Sequence, residues 1–167
     1  MRLISFFLLL LPLNFLSFVW QSPQENITWI KWEDAYEKAI AENKMVLLEV
    51  VTTVCPYCVK MDKETYTSPK IIDMVNKNFY ACKVNPKDET IKYKYKDQTL
   101  TASELINMLT LNSQNEEINK FVYPTTIFYL PNEEKTFVEP GFQPPDVYVY
   151  MLYNCIKYKE RLDKKKK

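Results

Sequence analysis

The sequence is nearly devoid of glycine and contains no histidine. Gly141 is the one glycine among 167 residues, whereas an average protein contains about 7% glycine. Glycine-rich loops that cradle phosphate groups need several glycines, so nucleotide-binding motifs of that kind are excluded. The absence of histidine removes histidine-based acid–base catalysis and every metal site that requires an imidazole ligand.

The sequence also lacks a strong net charge of either sign. It has 22 basic and 21 acidic residues and a formal net charge of +1, so we predict no nucleic-acid partner. A run of like charge stands at residues 164–167, all lysine. We interpret this basic tail as the solvated end of a helix, with a contact to lipid or to an acidic partner as the alternative.

A long apolar run stands at the start of the chain. Arg2 precedes an almost purely apolar stretch over residues 3–20, which is the pattern of an export signal. No pair of small residues precedes Gln21 as a cleavage site. We therefore predict that residues 1–20 are a signal peptide or an N-terminal membrane anchor, with a buried structural helix as a third interpretation.

Export would place the rest of the chain outside the cytoplasm, in the periplasm if the source is bacterial. We predict one domain over residues 21–163, followed by the basic tail 164–167. Disulfides persist in such compartments, and thiols there must be kept reduced actively. The cysteines are therefore the most informative residues, and there are four: Cys55, Cys58, Cys82 and Cys155.

Hydrophobic periodicity predicts a mixed sheet with helices on both faces. Apolar runs typical of buried strands occupy residues 45–51, 79–84, 125–130 and 135–138, and the last two form a hairpin. Amphipathic stripes and capping signals predict helices that begin near residues 32, 55, 68, 101, 113 and 146. Residues 85–100 are polar and show no clear pattern. Because strands and helices alternate before the final hairpin and helix, the predicted fold class is α/β.

Cys55 and Cys58 form a CxxC motif where the first predicted strand gives way to a helix. A helix N-terminus stabilises a thiolate through its unpaired N–H groups and the positive end of its dipole. We expect Cys55 to be exposed there and to exchange with disulfides, while Cys58 faces inward and resolves the mixed disulfide. Pro56 fits the first turn of the helix, where a missing N–H costs nothing.

Other roles for the cysteines stay open from their spacing alone. A structural staple between Cys55 and Cys58 would close a loop of about four residues and constrain the unfolded chain little. A zinc site would need Cys82 and Cys155 as its remaining ligands, and a Cu(I) site could use the CxxC pair alone. Otherwise Cys82 and Cys155 are expected to be buried free thiols, or a second disulfide.

The order of strand, Cys-Pro-Tyr-Cys and a later Tyr-Pro-Thr-Thr resembles the thioredoxin family over roughly residues 29–158. The chain is most similar to exported thioredoxin-like proteins and to the C-terminal domain of the bacterial transmembrane thiol–disulfide reductase. Residues 63–85 resemble the stretch that follows the active site of that domain, and Gly141 matches the glycine before the last helix. The resemblance implies a thioredoxin fold, with a mixed central sheet and a helical insert, residues 101–122, before the cis-proline strand.

The resemblance also implies roles for individual residues. Glu49 stands six residues before Cys55, where thioredoxins carry a buried acid that moves the proton of the resolving cysteine, with a pKa raised by burial. An exposed glutamate at a sheet edge is the alternative. Pro124 matches the cis-proline that presents backbone to an incoming peptide. The residues that would bind substrate with it are Pro56, Tyr57, Tyr123 and Thr125.

Two departures from the family pattern bear on the redox chemistry. Val54 replaces the tryptophan that usually precedes the first cysteine, and the dipeptide between the cysteines is Pro56-Tyr57, as in glutaredoxins. Because the dipeptide influences the reduction potential, the resemblance does not imply a direction of electron flow. Glutaredoxins are less similar, since this chain has a long β-α segment before its CxxC and no glycine pair to bind glutathione.

These observations predict an extracytoplasmic thiol–disulfide oxidoreductase whose redox group is its own Cys55–Cys58 disulfide, with no separate cofactor or metal. The expected partners are cysteine-containing extracytoplasmic proteins and a membrane-bound or soluble thiol–disulfide electron donor or acceptor. The alternative is a binding protein of the same fold, a chaperone or a Cu(I) carrier, that has no redox turnover.

Overall fold

The structure, a computed structural model, describes residues 25–111 and 122–166. The predicted signal or anchor segment, residues 1–20, and the predicted helix that begins at Ser113 lie outside the described residues. Within the described ranges, every helix is too short or too polar to cross a membrane.

Five helices and six strands are found in the described part of the chain. In chain order they are α1 (Trp32–Ala41), β1 (Met45–Val50), α2 (Pro56–Glu64), α3 (Pro69–Asn78), β2 (Phe79–Val84), β3 (Tyr93–Tyr95), β4 (Gln98–Leu100), α4 (Ala102–Thr110), β5 (Thr125–Leu130), β6 (Lys135–Pro140) and α5 (Pro145–Lys165).

A mixed four-stranded sheet in the order β2-β1-β5-β6 forms the centre of the fold. Strand β1 pairs in parallel with β2 and antiparallel with β5, and β5 pairs antiparallel with β6. Trp29 adds one parallel bridge to Ala81 on the outer side of β2. All six residues of β1 are buried, as expected for an interior strand covered on both faces. The predicted α/β fold with a mixed sheet is confirmed.

Each face of the sheet carries its own hydrophobic core. Val46, Leu48 and Val50 point to the first core, which α1, α4 and the β3–β4 hairpin cover. Met45 and Leu47 point to the second core, which α2, α3 and α5 cover. Because side chains alternate along a strand, Glu49 belongs on the side of the second core.

The β3–β4 hairpin was not predicted, because residues 85–100 showed no clear pattern. Tyr93 and Tyr95 are buried and Lys94 between them is exposed, so a two-residue period is present, over three residues only. Lys96 follows with a φ of 53° in the turn. The indole N–H of Trp32 donates to the carbonyl oxygen of Lys94 at 2.8 Å and ties the hairpin to α1.

The last helix includes part of the basic tail, since α5 continues to Lys165. The next residue, Lys166, makes an ion pair with Glu133 in the β5–β6 turn at 2.7 Å.

The capping signal predicted at residue 101 is confirmed at the start of α4. The Thr101 hydroxyl accepts from the Glu104 N–H, and the Glu104 carboxylate accepts from the Thr101 N–H.

Candidate active site

Cys55 and Cys58 stand at the start of α2 and are joined by a disulfide, with a Cα–Cα distance of 5.2 Å. Cys55 is the N-cap residue, and its sulfur accepts a hydrogen bond from the Cys58 N–H at 3.1 Å. Pro56 occupies the first turn, where no N–H is needed. An N–H group of the helix therefore points at the Cys55 sulfur, and no acidic residue in this turn opposes a negative charge there.

The prediction that Cys55 would be more exposed than Cys58 is wrong for the disulfide form. Both residues are 7% exposed. The Cys55 sulfur meets the first helical turn, where it is bonded to the Cys58 sulfur and accepts from the Cys58 N–H. The neighbouring side chains reach solvent instead, with Val54 88% and Tyr57 60% exposed.

The Tyr123–Pro124 peptide bond is cis, as expected for Pro124. Thr125, the first residue of β5, is the register partner of Val50, the last residue of β1. The segments to Pro124 and to Cys55 therefore leave the sheet at the same end, which places the cis-proline loop and the redox pair at one edge. The sheet topology thus joins two features that lie far apart in sequence.

A short segment after β6 connects this loop to helix α2. The Gly141 N–H donates to the carbonyl oxygen of Pro124 at 2.7 Å. The following residues reach α2, since the Lys60 ammonium lies 4.3 Å from the centre of the Phe142 ring and the Thr65 hydroxyl donates to the Gln143 carbonyl oxygen at 2.6 Å. Residues 141–143 therefore hold the cis-proline loop and the redox helix in one arrangement.

The other residues predicted to bind substrate differ in accessibility. Pro56 and Tyr57 are exposed, and Tyr123 is half-buried against the first core. Thr125 is buried, and its hydroxyl donates to the carbonyl oxygen of Val122. The Thr125 side chain therefore supports the loop from inside, while Tyr57 and Tyr123 keep solvent-exposed side-chain surface.

Glu49 lies in the interior strand β1 and is 1% exposed. The alternative of an exposed glutamate at a sheet edge is therefore wrong. Its Oε2 atom accepts a hydrogen bond from the Tyr66 hydroxyl and a second from the Thr126 hydroxyl at 3.0 Å. Burial raises the pKa of Glu49 from 4.5 to about 7, against the opposing effect of these two hydrogen bonds and of the Lys83 charge.

Three further polar side chains lie around Glu49, those of Tyr148, Lys83 and Asp62. The Tyr148 hydroxyl of α5 lies 3.2 Å from the Tyr66 hydroxyl and 3.4 Å from the Thr126 hydroxyl. Lys83 is the register partner of Glu49 on β2, and its ammonium bonds to Asp62 and lies 4.6 Å from the centre of the Trp29 ring. Lys83 therefore lowers the pKa of Glu49, while the Asp62 charge raises it.

The hydroxyl groups around Glu49 were missed by sequence reasoning. Thr126 belongs to the Tyr-Pro-Thr-Thr stretch, and Tyr66 to the segment that resembles the reductase domain. A polar residue within an otherwise apolar strand was the available signal for Thr126. Its pairing with Glu49 depends on the register of β1 with β5, which the sequence does not reveal.

Cys82 and Cys155 are buried free thiols, which confirms the first of the two roles expected for them. Cys82 belongs to the first core and Cys155 to the second, on opposite faces of the sheet. A disulfide between them is therefore excluded, and so is a zinc site that would gather all four cysteines. Burial raises the pKa of the Cys155 thiol to about 12 and that of the Cys82 thiol further, so both are poor nucleophiles.

Comparison with solved structures places this architecture among known folds. The chain superposes on a DsbH oxidoreductase with a TM-score of 0.56 and 16% identity, covering 81% of this chain and 88% of that chain. It superposes on a thioredoxin from Thermus thermophilus with a TM-score of 0.55 and 17% identity, covering 77% and 86%. At such identities the likeness shows the fold, which is the thioredoxin fold.

Curated relatives match a shorter stretch. Rat spermatogenesis-associated protein 20 is 30% identical over 66 residues, which are 39% of this chain and 8% of that protein. An uncharacterized protein of Caenorhabditis elegans is 33% identical over 66 residues, which are 39% of this chain and 9% of that protein. The chain therefore spans less than a tenth of the length of these relatives.

A family model covers most of the chain. The Thioredox_DsbH model, described as a protein of unknown function, DUF255, matches residues 14–153. This range includes the disulfide, Glu49 and the cis-proline loop. The chain belongs to the Thioredox_DsbH family of thioredoxin-fold proteins.

Proposed function

We propose that this protein is a thiol–disulfide oxidoreductase that reduces or exchanges disulfides of extracytoplasmic proteins through Cys55 and Cys58. The observation that carries the proposal is the Cys55–Cys58 disulfide at the N-terminus of α2, at the same end of the sheet as the cis-Pro124 loop. A disulfide that served only as a staple would gain little from this position, because the helix N-terminus favours a thiolate.

In the reducing direction the reaction has two steps. The Cys55 thiolate attacks one sulfur of a substrate disulfide, forms a mixed disulfide with it and releases the other substrate sulfur as a thiolate, which takes a proton from water. The Cys58 thiol then loses its proton to the Glu49 carboxylate and attacks the Cys55 sulfur. This forms the Cys55–Cys58 disulfide and expels the second substrate thiolate, which receives the proton that Glu49 holds.

Glu49 suits this role because of where it lies. Burial raises its pKa to about 7, so the carboxyl group can both accept and return a proton near neutral pH. An exposed carboxylate of ordinary pKa would hold the proton too weakly to take it from a thiol. Glu49 is thus the proposed acid–base partner of Cys58.

The surroundings of the disulfide support a protein substrate. Val54, Tyr57 and Val122 are 88%, 60% and 53% exposed and belong to the segments of the redox pair and the cis-proline loop, which gives the edge of the site an apolar surface. A polypeptide that carries the target cysteine could pack against these side chains and the backbone of the Pro124 loop.

The compartment and the redox partners are part of the same proposal. The apolar run at residues 3–20 supports export, so the substrates would be cysteine-containing extracytoplasmic proteins. A turnover in the reducing direction leaves the pair oxidised, and a membrane-bound or soluble dithiol protein would have to return two electrons to it. An oxidase would use an acceptor instead.

An insulin-reduction assay tests the proposal. In the presence of dithiothreitol, the wild-type protein should accelerate precipitation of the insulin B chain, and Cys55→Ser should not. Cys82→Ser is the matched control, because Cys82 is buried in the first core away from the redox pair. Equal activity of the wild type and Cys55→Ser would overturn the proposal. Stoichiometric Cu(I) binding without turnover would support the binding-protein alternative.

A further inference from the structure

Two hydroxyl groups from different parts of the fold converge on a single oxygen atom of Glu49. Tyr66 stands between α2 and α3, and Thr126 lies in β5. Both hydroxyls donate to Oε2 of Glu49. A carboxylate has two oxygen atoms that can each accept hydrogen bonds, so the placement of both donors on Oε2 makes the two oxygens inequivalent.

The side chains in this cluster are fixed by packing. Tyr66 is 6% exposed, and Thr126 and Tyr148 are fully buried. The Tyr66 ring makes edge contacts with the ring of Trp29 at 5.1 Å and with that of Tyr148 at 5.5 Å between centroids. A buried aromatic side chain held on two sides keeps its hydroxyl in one position. The hydrogen bonds therefore fix the rotation of the Glu49 carboxyl group.

We propose that Tyr66 and Thr126 are positioning residues that hold Oε2 of Glu49, so that Oε1 is the oxygen that exchanges a proton with Cys58. This inference rests on the proposed function and adds two residues to it. The proton moves from the Cys58 sulfur to Oε1 when the mixed disulfide is resolved, and from Oε1 to the departing substrate thiolate afterwards.

The two donors also set the acidity of Glu49. A buried carboxylate without donors is strongly disfavoured against its neutral form, and a hydrogen bond to a charged group is stronger than one between neutral groups. Tyr66 keeps its proton throughout the neutral range, because burial and the Glu49 charge raise its pKa well above 10. It therefore remains a donor at every pH at which Glu49 titrates.

Other groups around Glu49 have to be considered in any pH dependence. The titratable and charged ones are Tyr66, Tyr148 of α5, Lys83 of β2 and Asp62 of α2. Burial raises the pKa of Tyr148 far above its usual value, so it stays neutral. Lys83 and Asp62 bond to each other, and Tyr66→Phe keeps the aromatic ring that lies 5.8 Å from the Lys83 ammonium. A shift after removal of the Tyr66 hydroxyl therefore reports the lost hydrogen bond.

The test compares hydroxyl deletions by two readouts. The first is the pH midpoint of Glu49 in the disulfide form, followed by NMR of its side-chain carboxyl carbon. The second is the pH midpoint of the slower phase when the reduced protein reacts with an aromatic disulfide such as dithionitrobenzoate, in which Cys58 displaces the second aromatic thiol. Tyr66→Phe should raise both midpoints by about one pH unit, the equivalent of one lost hydrogen bond to a charged group.

Matched variants separate positioning from a general loosening of the fold. Tyr148→Phe removes a hydroxyl from the same cluster, but one that does not donate to Glu49, and should shift the midpoints much less than Tyr66→Phe. Thr126→Val should raise them, and Thr126→Ser, which keeps a hydroxyl, should restore them toward the wild-type value. The threonine pair keeps the test valid if Tyr66→Phe does not fold.

Different experimental results would overturn the positioning role of the two hydroxyls and the redox activity of the protein. Unchanged midpoints in Tyr66→Phe and Thr126→Val would overturn the positioning role, as would an equal shift in Tyr148→Phe, even with the redox reaction intact. A wild-type protein that releases no aromatic thiol in either phase would overturn the proposed function. In that case the NMR midpoint would still show whether the two hydroxyls stabilise the charged carboxyl group.

Discussion

The Gly141 N–H donates to the carbonyl oxygen of Pro124 at 2.7 Å, and this contact joins the end of β6 to the cis-proline loop. Gly141 has a φ of +81°, a left-handed backbone conformation that other residues adopt only at a cost. The single glycine of the sequence is therefore placed where the backbone needs it, next to the candidate active site.

Replacement of this glycine should destabilise the protein through backbone strain alone. A Cβ atom at position 141 would have no atom within 4 Å, so Gly141→Ala introduces no clash. We expect a loss of about 1 kcal/mol in the free energy of unfolding, measured by urea denaturation. Gly141→Asn should lose less, since asparagine tolerates the left-handed region better. An unchanged midpoint in Gly141→Ala would contradict this account.

The raised pKa of Glu49 predicts a pH dependence of stability with a definite sign. The pKa of a glutamate carboxyl group is ordinarily 4.5, and burial raises that of Glu49 to about 7 in the folded protein, so the folded state binds more protons between these pH values. Stability should therefore fall as the pH rises from about 4.5 to 7, by an amount on the order of 3 kcal/mol from this group.

The variant Glu49→Gln isolates that contribution, because glutamine stays neutral. It should be more stable than the wild type at pH 8 and close to it at pH 4, in parallel urea titrations. Glu89→Gln, at an exposed position, is the control and should follow the wild type at both pH values. If the Glu49→Gln protein is less stable than the wild type at pH 8, the ionised carboxylate does not destabilise the folded state.

Removal of the resolving cysteine should stop the reaction at its intermediate. In Cys58→Ser, Cys55 can still attack a substrate disulfide, but no second thiol is at hand to release the product. We expect mixed disulfides to accumulate, visible on non-reducing gels and by mass spectrometry. Cys155→Ser, in the second core, serves as the control and should accumulate none. Trapping through Cys82 instead of Cys55 would contradict the assignment of the nucleophile.

A charged cluster at the end of α5 consists of Lys159, Asp163, Lys166 and Glu133. Its contribution to the stability of the protein should depend mainly on the buried Lys159. The Lys159 side chain is 7% exposed and lies 2.6 Å from Asp163 and 3.7 Å from Glu133, which is also 7% exposed. Lys159→Met keeps much of the side-chain volume but leaves the buried Glu133 with one partner fewer, so we expect a loss of about 3 kcal/mol in stability. Thermal and urea unfolding would measure it.

Lys166→Met provides the matched comparison. Lys166 bonds to the same carboxylate at 2.7 Å, but its side chain is 56% exposed. Exposed ion pairs contribute little, because water and salt screen them. The loss should therefore be far smaller than for Lys159→Met, and equal losses in the two variants would contradict the importance of burial.

The features that were predicted correctly from the sequence each depend on a short stretch of the chain. The apolar run of β1, the CxxC at a helix start and the match of Pro124 to a cis-proline can each be read within about ten residues, where local preferences dominate. The β3–β4 hairpin was missed because Tyr93 and Tyr95 show their alternation over one strand of three residues.

The features that were missed depend on contacts between distant segments. Glu49 meets Thr126, 77 residues away, only because β1 pairs with β5 in one register. The exposure of Cys55 was predicted wrongly because its burial in the disulfide form depends on the packing of the surrounding segments, which a motif does not encode. Tertiary geometry decided both outcomes.

Because the four cysteines lie in separate places, their reactivity with a dye can report whether the Cys55–Cys58 pair is oxidised or reduced. One pair is a disulfide at the helix start, and the other two thiols are sealed in opposite cores. A thiol-reactive dye added to the native protein should therefore label no cysteine in the oxidised form and, after mild reduction, only cysteines of the Cys55–Cys58 pair. The two core cysteines should become reactive only when the protein unfolds, so the same dye distinguishes electron transfer from loss of structure.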